Sequence, residues 1–153
     1  MVRLADLPPE IAANLLELPI QDYGPAPWVP APDLKNARVA IISTAGLHRA
    51  DDTKFAGGSA EYRLLPGDLD YVDLTMSHVS VNFDRSGFQQ DPNLVFPLEL
   101  LRKLEANGEI GSVANWHYSF MGATDPTRMN DTASQVARLL KEDGVTAVIL
   151  IPV

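Results

Sequence analysis

Two runs constrain this chain more than anything else in it. Arg38–Ser43 reads RVAIIS and Ala147–Val153 reads AVILIPV, each apolar at nearly every position over the length of a strand. A strand with one wet face alternates apolar and polar residues, so an uninterrupted apolar run is the pattern of a strand covered on both faces in a parallel sheet. The two runs are therefore expected side by side in the interior of a mostly parallel sheet. Ligands of open α/β sheets bind beyond the carboxyl ends of the strands, so the segment that follows Val153 would enter the region where chemistry is expected.

The rest of the chain fits an alternation of helix and strand. Glu61–Leu65 and Leu69–Met76 read as two further strands around the turn signal Pro66-Gly67-Asp68. From Pro97, the spacing of Leu98, Leu100, Leu101 and Leu104 predicts a helix that Gly108 ends in a left-handed conformation. Thr132–Asp143 predicts a second helix burying Val136, Leu139 and Leu140, started by an Asn130 or Asp131 cap and ended by Gly144. The fold class is α/β, a Rossmann-like three-layer domain over residues 38–153. Residues 1–37 read as a separate N-terminal piece, in which Pro8-Pro9-Glu10 opens a short amphipathic helix carrying Ile11, Leu15, Leu16 and Leu18. Four prolines between Tyr23 and Pro32 then favour an extended arm that wraps the domain or holds a partner.

Composition narrows the function classes. A net charge of −8, with twelve Lys and Arg scattered along 153 residues, argues against a nucleic-acid surface. No apolar run approaches the roughly 20 residues of a membrane span, and no basic-then-apolar leader opens the chain, so no membrane partner is expected and the protein is read as cytoplasmic. The chain contains no cysteine, which removes disulfides, thiolate metal sites and thiol catalysis from these residues.

His48, His78 and His117 each follow or adjoin a predicted strand. Two readings stay open on spacing alone. In the plainer one, three unrelated histidines make local hydrogen bonds. In the other, parallel strands bring all three to one sheet edge, where imidazoles bind a carboxylate or move protons near neutral pH. Separations of 30 and 39 residues give no metal-ligand spacing, so no metal is expected. Gly46, in the loop directly after the first apolar run, permits close approach of the backbone to an anion. Trp116, Tyr118, Phe120 and Met121 would line a pocket or simply fill core.

Several ordered blocks of the chain resemble one family. Arg38-Val39-Ala40-Ile41-Ile42-Ser43-Thr44-Ala45-Gly46-Leu47-His48 and Tyr62-Arg63-Leu64-Leu65-Pro66-Gly67-Asp68-Leu69-Asp70 come first, then Ser77-His78, Asp84, Asp91-Pro92-Asn93 and Val95-Phe96-Pro97. Gly108-Glu109-Ile110-Gly111-Ser112, His117-Tyr118-Ser119-Phe120-Met121-Gly122, Lys141-Glu142-Asp143-Gly144-Val145 and Ile149-Leu150-Ile151-Pro152-Val153 complete the series. Over about residues 27–153 the chain resembles the selenoprotein B family of glycine, betaine, sarcosine and D-proline reductases, and blocks in order are more specific than any single motif.

The resemblance implies a reductase that cleaves a C–N bond of a small amino acid or betaine. It implies catalytic roles for His48, His78 and His117, each inside a family block, and substrate contacts from Gly46, Asp84, Tyr118 and Ser119. It also implies that the strand ending in Pro152-Val153 leads into a redox motif, a selenocysteine or cysteine with a second cysteine a few residues on. The chain ends just before that point, either because a UGA selenocysteine codon was read as a stop or because the protein is naturally short. No cofactor is expected within the chain itself; the pyruvoyl group used by the glycine and proline branches belongs to a separate subunit. The branch stays open, since Val79-Ser80-Val81-Asn82-Phe83-Asp84 departs from the amino-acid reductases after the second histidine. A small-molecule substrate, a reductase partner subunit and homo-oligomers are the expected partners. The alternative is a non-catalytic α/β module that binds a small anion or another subunit.

Overall fold

The computed structural model describes residues 3–17, 22, 24, 29–80 and 85–153. Its core is a sheet built on β1 (Arg38–Ser43), which pairs in parallel with β7 (Ala147–Ile151) on one side. The other side of β1 is shared by β5 (Ser112–Val113) at its beginning and β6 (Trp116–Phe120) at its end, both parallel to it. β3 (Tyr62–Pro66) lies outside β6 and runs antiparallel to it. The fold is thus mixed α/β with a mostly parallel sheet, the coarser form of the Rossmann-like, three-layer expectation.

Side-chain alternation gives the sheet two faces. Val39, Ile41, Leu65, Ala147 and Ile151 join the main apolar core together with α3 (Leu98–Ala106), which contributes Leu98 and Leu101. Over this core lies a two-stranded antiparallel ribbon of β2 (Leu47–Arg49) and β4 (Leu74–Met76), preceded by α1 (Pro9–Leu16) and followed by α2 (Ser86–Gln90) in the chain. On the opposite face, Tyr118 and Phe120 pack with Val136 of α4 (Asn130–Glu142), against Ile42 and Tyr62.

Three expectations need correction. β7 was expected in the sheet interior, yet among the described residues it pairs with β1 alone, and Val148, Ile149 and Leu150 are exposed. Leu69–Met76 is not one strand: Asp70 accepts a hydrogen bond from the Val72 N–H, which turns Tyr71–Asp73 into a 3-10 turn and leaves only Leu74–Met76 extended. Neither Asn130 nor Asp131 caps α4: the chain enters it through a 3-10 turn, Pro126–Met129, whose own cap is Asp125, which accepts from the Thr127 N–H, and α4 starts after Met129 without a side-chain cap. Gly108 and Gly144 do adopt positive φ at the helix ends. The short helix ends at Leu16, and its Ile11, Leu15 and Leu16 are exposed. Leu18, residues 23 and 25–28 of the proline arm, and Asp84 lie outside the described residues. Among the described residues no helix is long and apolar enough to cross a membrane.

Asp143, just after α4, ties the amino end of the sheet together. Its carboxylate accepts from Arg38 at 2.7 Å, from the Asn115 side chain at 2.9 Å, and from the N–H groups of Asn115 and Trp116 at 2.8 and 3.2 Å. Burial pushes this carboxyl up, but the Arg38 and backbone hydrogen bonds outweigh it and hold the group below the usual carboxylate range. Asp143→Ala should therefore lower the unfolding free energy by about 2 kcal/mol, as expected when a partly buried charge partner is removed. Chemical denaturation at neutral pH measures it. The difference from wild type should shrink as the pH falls through the lowered Asp143 value, where the wild-type carboxylate is itself protonated.

Candidate functional site

The carboxyl ends of β1, β6 and β7 converge on a small set of backbone contacts. Thr44, directly after β1, donates its N–H to the Ile151 carbonyl, and its hydroxyl receives the Val153 N–H at 2.8 Å. Gly122, just past β6, donates to the Thr44 carbonyl at 2.9 Å. There is no room for a side chain here: a Cβ on Gly122 would stand 2.4 Å from the Val153 carbonyl oxygen. Val153 is held in a seat made of Thr44 and Gly122.

Gly46 brings the first candidate residues to this seat. Its φ of +64° turns the chain out of the sheet and into β2, and its N–H donates to the Phe120 carbonyl. A Cβ at Gly46 would lie 3.0 Å from the His78 backbone nitrogen and 3.3 Å from the His78 Cβ, so only glycine lets the second histidine approach this closely. His78 Nδ1 accepts the Ser80 N–H at 3.1 Å. Burial pulls the His78 pKa below its ordinary value and Arg85 adds to this, while the nearby Val153 backbone works in the other direction. The Val153 backbone is thus near enough to act on the His78 ring, at the last residue of the terminal run.

Beneath them, one register row crosses the sheet as Arg63, Ser119 and Ser43, on β3, β6 and β1, all buried and on the same face. The Ser119 hydroxyl accepts the Leu47 N–H at 2.7 Å and the Ser43 hydroxyl accepts the Ala45 N–H at 3.2 Å, so both serines anchor the loop that carries Gly46. Tyr118 points the other way, into the core under α4. Burial raises its phenol pKa to about 12, with Asp143 and Tyr62 adding to the effect.

His48 lies two residues beyond Gly46, 1% exposed, opposite Thr75 in the ribbon. Its Nδ1 is 2.6 Å from the Arg49 carbonyl, which makes that nitrogen the protonated one, and its Nε2 has no partner among the described residues. His117 sits deeper. Its Nδ1 accepts the Ile41 N–H at 2.9 Å in the break between β5 and β6, and its ring packs edge-on against Phe96. Burial lowers its pKa to about 4, with Arg102 assisting, so the ring is neutral at physiological pH. The structure thus gathers Gly46, His78 and Ser119 round the end of the sheet, sets His48 close by in the ribbon, and leaves His117 and Tyr118 in the packed interior.

Thr44, Gly122 and Arg63 belong to this region without having been singled out from the sequence. The legible signals were a hydroxyl directly after an apolar strand and a charge inside an otherwise apolar one. Among the described residues no three His, Asp or Glu side chains converge as metal ligands. A wide cleft of about 800 Å3, lined by Pro66, Arg102, Glu105, Ala114 and Trp116, opens at the other, amino end of β6. Of the expected aromatic lining, Trp116 therefore faces this cleft while Phe120 and Met121 are buried.

Comparison with known proteins decides the family. Residues 14–152 match the family described as glycine/sarcosine/betaine reductase selenoprotein B. The chain belongs to that family. The selenoprotein B relatives include the D-proline reductase subunit gamma of Acetoanaerobium sticklandii, 34% identical over 130 residues, covering 82% of this chain and 53% of the relative. The sarcosine reductase complex component B subunit beta of Peptoclostridium acidaminophilum is 31% identical over 140 residues, covering 88% of this chain and 32% of the relative. The glycine reductase complex component B subunit gamma of Carboxydothermus hydrogenoformans is 29% identical over 141 residues, with the same coverage of 88% and 32%. The match thus spans about half of the first relative and about a third of the other two. No solved structure matches the chain.

Proposed function

We propose that this chain forms one side of the substrate cleft of a reductase complex that cleaves the C–N bond of a small amino acid or betaine. The observation that carries this reading is the meeting of Gly46, His78 and Val153 at one sheet edge, supported by the family blocks in which all three occur. In the net reaction the C–N bond breaks, two electrons and two protons enter, carbon gains a hydrogen, the amine departs, and a dithiol becomes a disulfide. The redox atom is a selenocysteine or cysteine carried beyond Val153, since these 153 residues contain no cysteine. Activation of the amine by a pyruvoyl group is left to a separate subunit.

The residues of this chain bind and move protons. His78, whose pKa burial lowers, accepts and returns a proton beside the strand end as the amine leaves. Gly46 keeps the backbone low enough for substrate to approach, and Ser119 fixes the loop that carries it.

The test is the polypeptide continued past Val153 in its own reading frame, with cysteine in place of any selenocysteine. It should gain a thiol that iodoacetamide alkylates below pH 7, and, with its complex partners, dithiol-dependent release of amine. If the continued protein shows neither, the reductase reading is abandoned. A partner-binding module is then preferred. That second reading is favoured by the exposed β7 edge and by an apolar groove of about 270 Å3 between α4 and Leu150, surfaces that a partner subunit or a second copy of the chain would bury.

A further inference from the structure

The loop between β2 and β3 meets the ribbon face that carries His48. Ser77 follows β4, and its N–H donates to the Gly46 carbonyl, so Ser77 and Thr75 lie on the same face of the ribbon as His48, opposite Leu47 and Met76. The Ser77 hydroxyl receives the Phe55 N–H at 3.0 Å. That bond ties the loop between β2 and β3 to the face on which the histidine lies. In residues 51–58 only Phe55 is buried, at 5% exposure. The loop has no strand pairing and is held at few points. The Arg63 guanidinium donates to the Thr53 carbonyl at 2.8 Å and lies over the Phe55 ring at 4.5 Å, and the Thr124 hydroxyl holds the Ser59 carbonyl at 2.8 Å. Gly57 and Gly58, the latter at φ +70°, stand at its far end, where glycine tolerates large changes of backbone angle.

On this face His48 keeps an unsatisfied acceptor. Its Nδ1 proton is committed to the Arg49 carbonyl, so Nε2 presents a lone pair, buried and without a donor among the described residues. A desolvated acceptor with no donor is a standing cost to the closed form. A ligand N–H would remove it.

We propose that residues 51–58 are a lid latched by Phe55 and Arg63, and that its opening admits a small substrate bearing an N–H, a primary or secondary amine, which His48 Nε2 accepts. The proposal rests on the reductase reading above and sharpens it, because a quaternary ammonium such as betaine has no N–H to give. The lone pair of Nε2 is also the nucleophile that attacks diethyl pyrocarbonate and takes its carbethoxy group, and peptide mass mapping reads each histidine separately. In the wild-type chain His48 should react slowly. Phe55→Ala should raise its rate by about tenfold while His117 stays protected, the mark of a local rather than a global opening. Arg63→Gln, which removes the latch to Thr53 while leaving Phe55, should raise it by a smaller factor. If Phe55→Ala unfolds the chain and exposes His117 as well, Arg63→Gln decides, and an unchanged His48 rate there overturns the lid. In the opened variant, millimolar D-proline or glycine should protect His48 and betaine should not. Equal protection by betaine, or none from any of the three, overturns the assignment of His48 to an N–H. These outcomes are read without turnover, so they stand apart from the failure of the continued protein to reduce substrate.

Discussion

Replacing His117 by alanine should destabilise the protein by about 3–5 kcal/mol, the largest single-residue effect expected outside the candidate site. Two losses combine. The imidazole is completely buried against Phe96, so its removal leaves a cavity, and the Ile41 N–H loses its acceptor in the middle of the sheet. The residues between β5 and β6 offer no carbonyl to replace it, since the ladder is broken there. His117→Asn keeps an acceptor and should recover part of the loss. The same ring gives the fold an acid sensitivity. Burial lowers its pKa from 6.5 to about 4, so the folded state resists a proton that the unfolded chain takes up readily. Stability from this source is complete above pH 6.5 and drains away as the pH falls toward 4, by about 3 kcal/mol over the whole window. Between pH 6.5 and 5 the carboxylates stay ionised, so the slope there belongs to the histidines. Urea unfolding at steps across that interval should show the slope in wild type and a much flatter line in His117→Asn. Equal slopes would mean that His117 is protonated in the native state and does not hold the Ile41 N–H.

How far the sequence disclosed this fold depended on whether a feature is local. Gly108 and Gly144 ended their helices at positive φ as their positions required, because a helix end is settled within a few residues. The two apolar runs did become parallel neighbours, β1 and β7. Yet an apolar run reports how its faces are covered and says nothing about how many strands bond to its edges, so the outer position of β7 was not legible. Strand direction is equally silent: the run at Glu61–Leu65 becomes Tyr62–Pro66, whose half-buried residues would suit a parallel neighbour as well as the antiparallel one it has. Leu69–Met76 looked extended because its apolar spacing was read without the Asp70 side chain, whose bond to the Val72 N–H curls the first half. Around the candidate site, placing three histidines near strand ends was within reach of the sequence. What each ring touches was not. His117 meets a backbone N–H 76 residues away, and the ribbon face of His48 is met by a loop whose anchor, Arg63, belongs to another strand.

Gly122→Ala should be nearly as damaging to stability as any core truncation, at about 3 kcal/mol, and should also disturb the end of β7 directly. A methyl group there would stand 2.4 Å from the Val153 carbonyl oxygen, 2.9 Å from the Thr44 carbonyl oxygen and 3.0 Å from the Thr44 hydroxyl. Two of these three atoms are backbone, so no rotamer change relieves the overlap. Either β7 leaves Thr44 or β6 leaves β1. The first is the easier, because among the described residues β7 has one partner strand and its outer residues are exposed, whereas β6 is bonded on both sides. Hydrogen exchange should then show the Val153 amide, which donates to the Thr44 hydroxyl, losing protection ahead of the Ile41 and Ile42 amides of β1. In the protein continued past Val153, the same variant should slow dithiol-dependent turnover by more than tenfold, since a displacement of about 1 Å at the strand end is enough to spoil a reacting geometry. Gly57→Ala is the control. No atom of the described residues lies within 4 Å of a Cβ at that glycine and its φ is not in the left-handed region, so it should leave stability unchanged or slightly raised. Should Gly122→Ala leave both the exchange pattern and turnover at wild-type values, Val153 would not be seated by Thr44 and Gly122, and the sheet edge would lose its claim to position the redox residue.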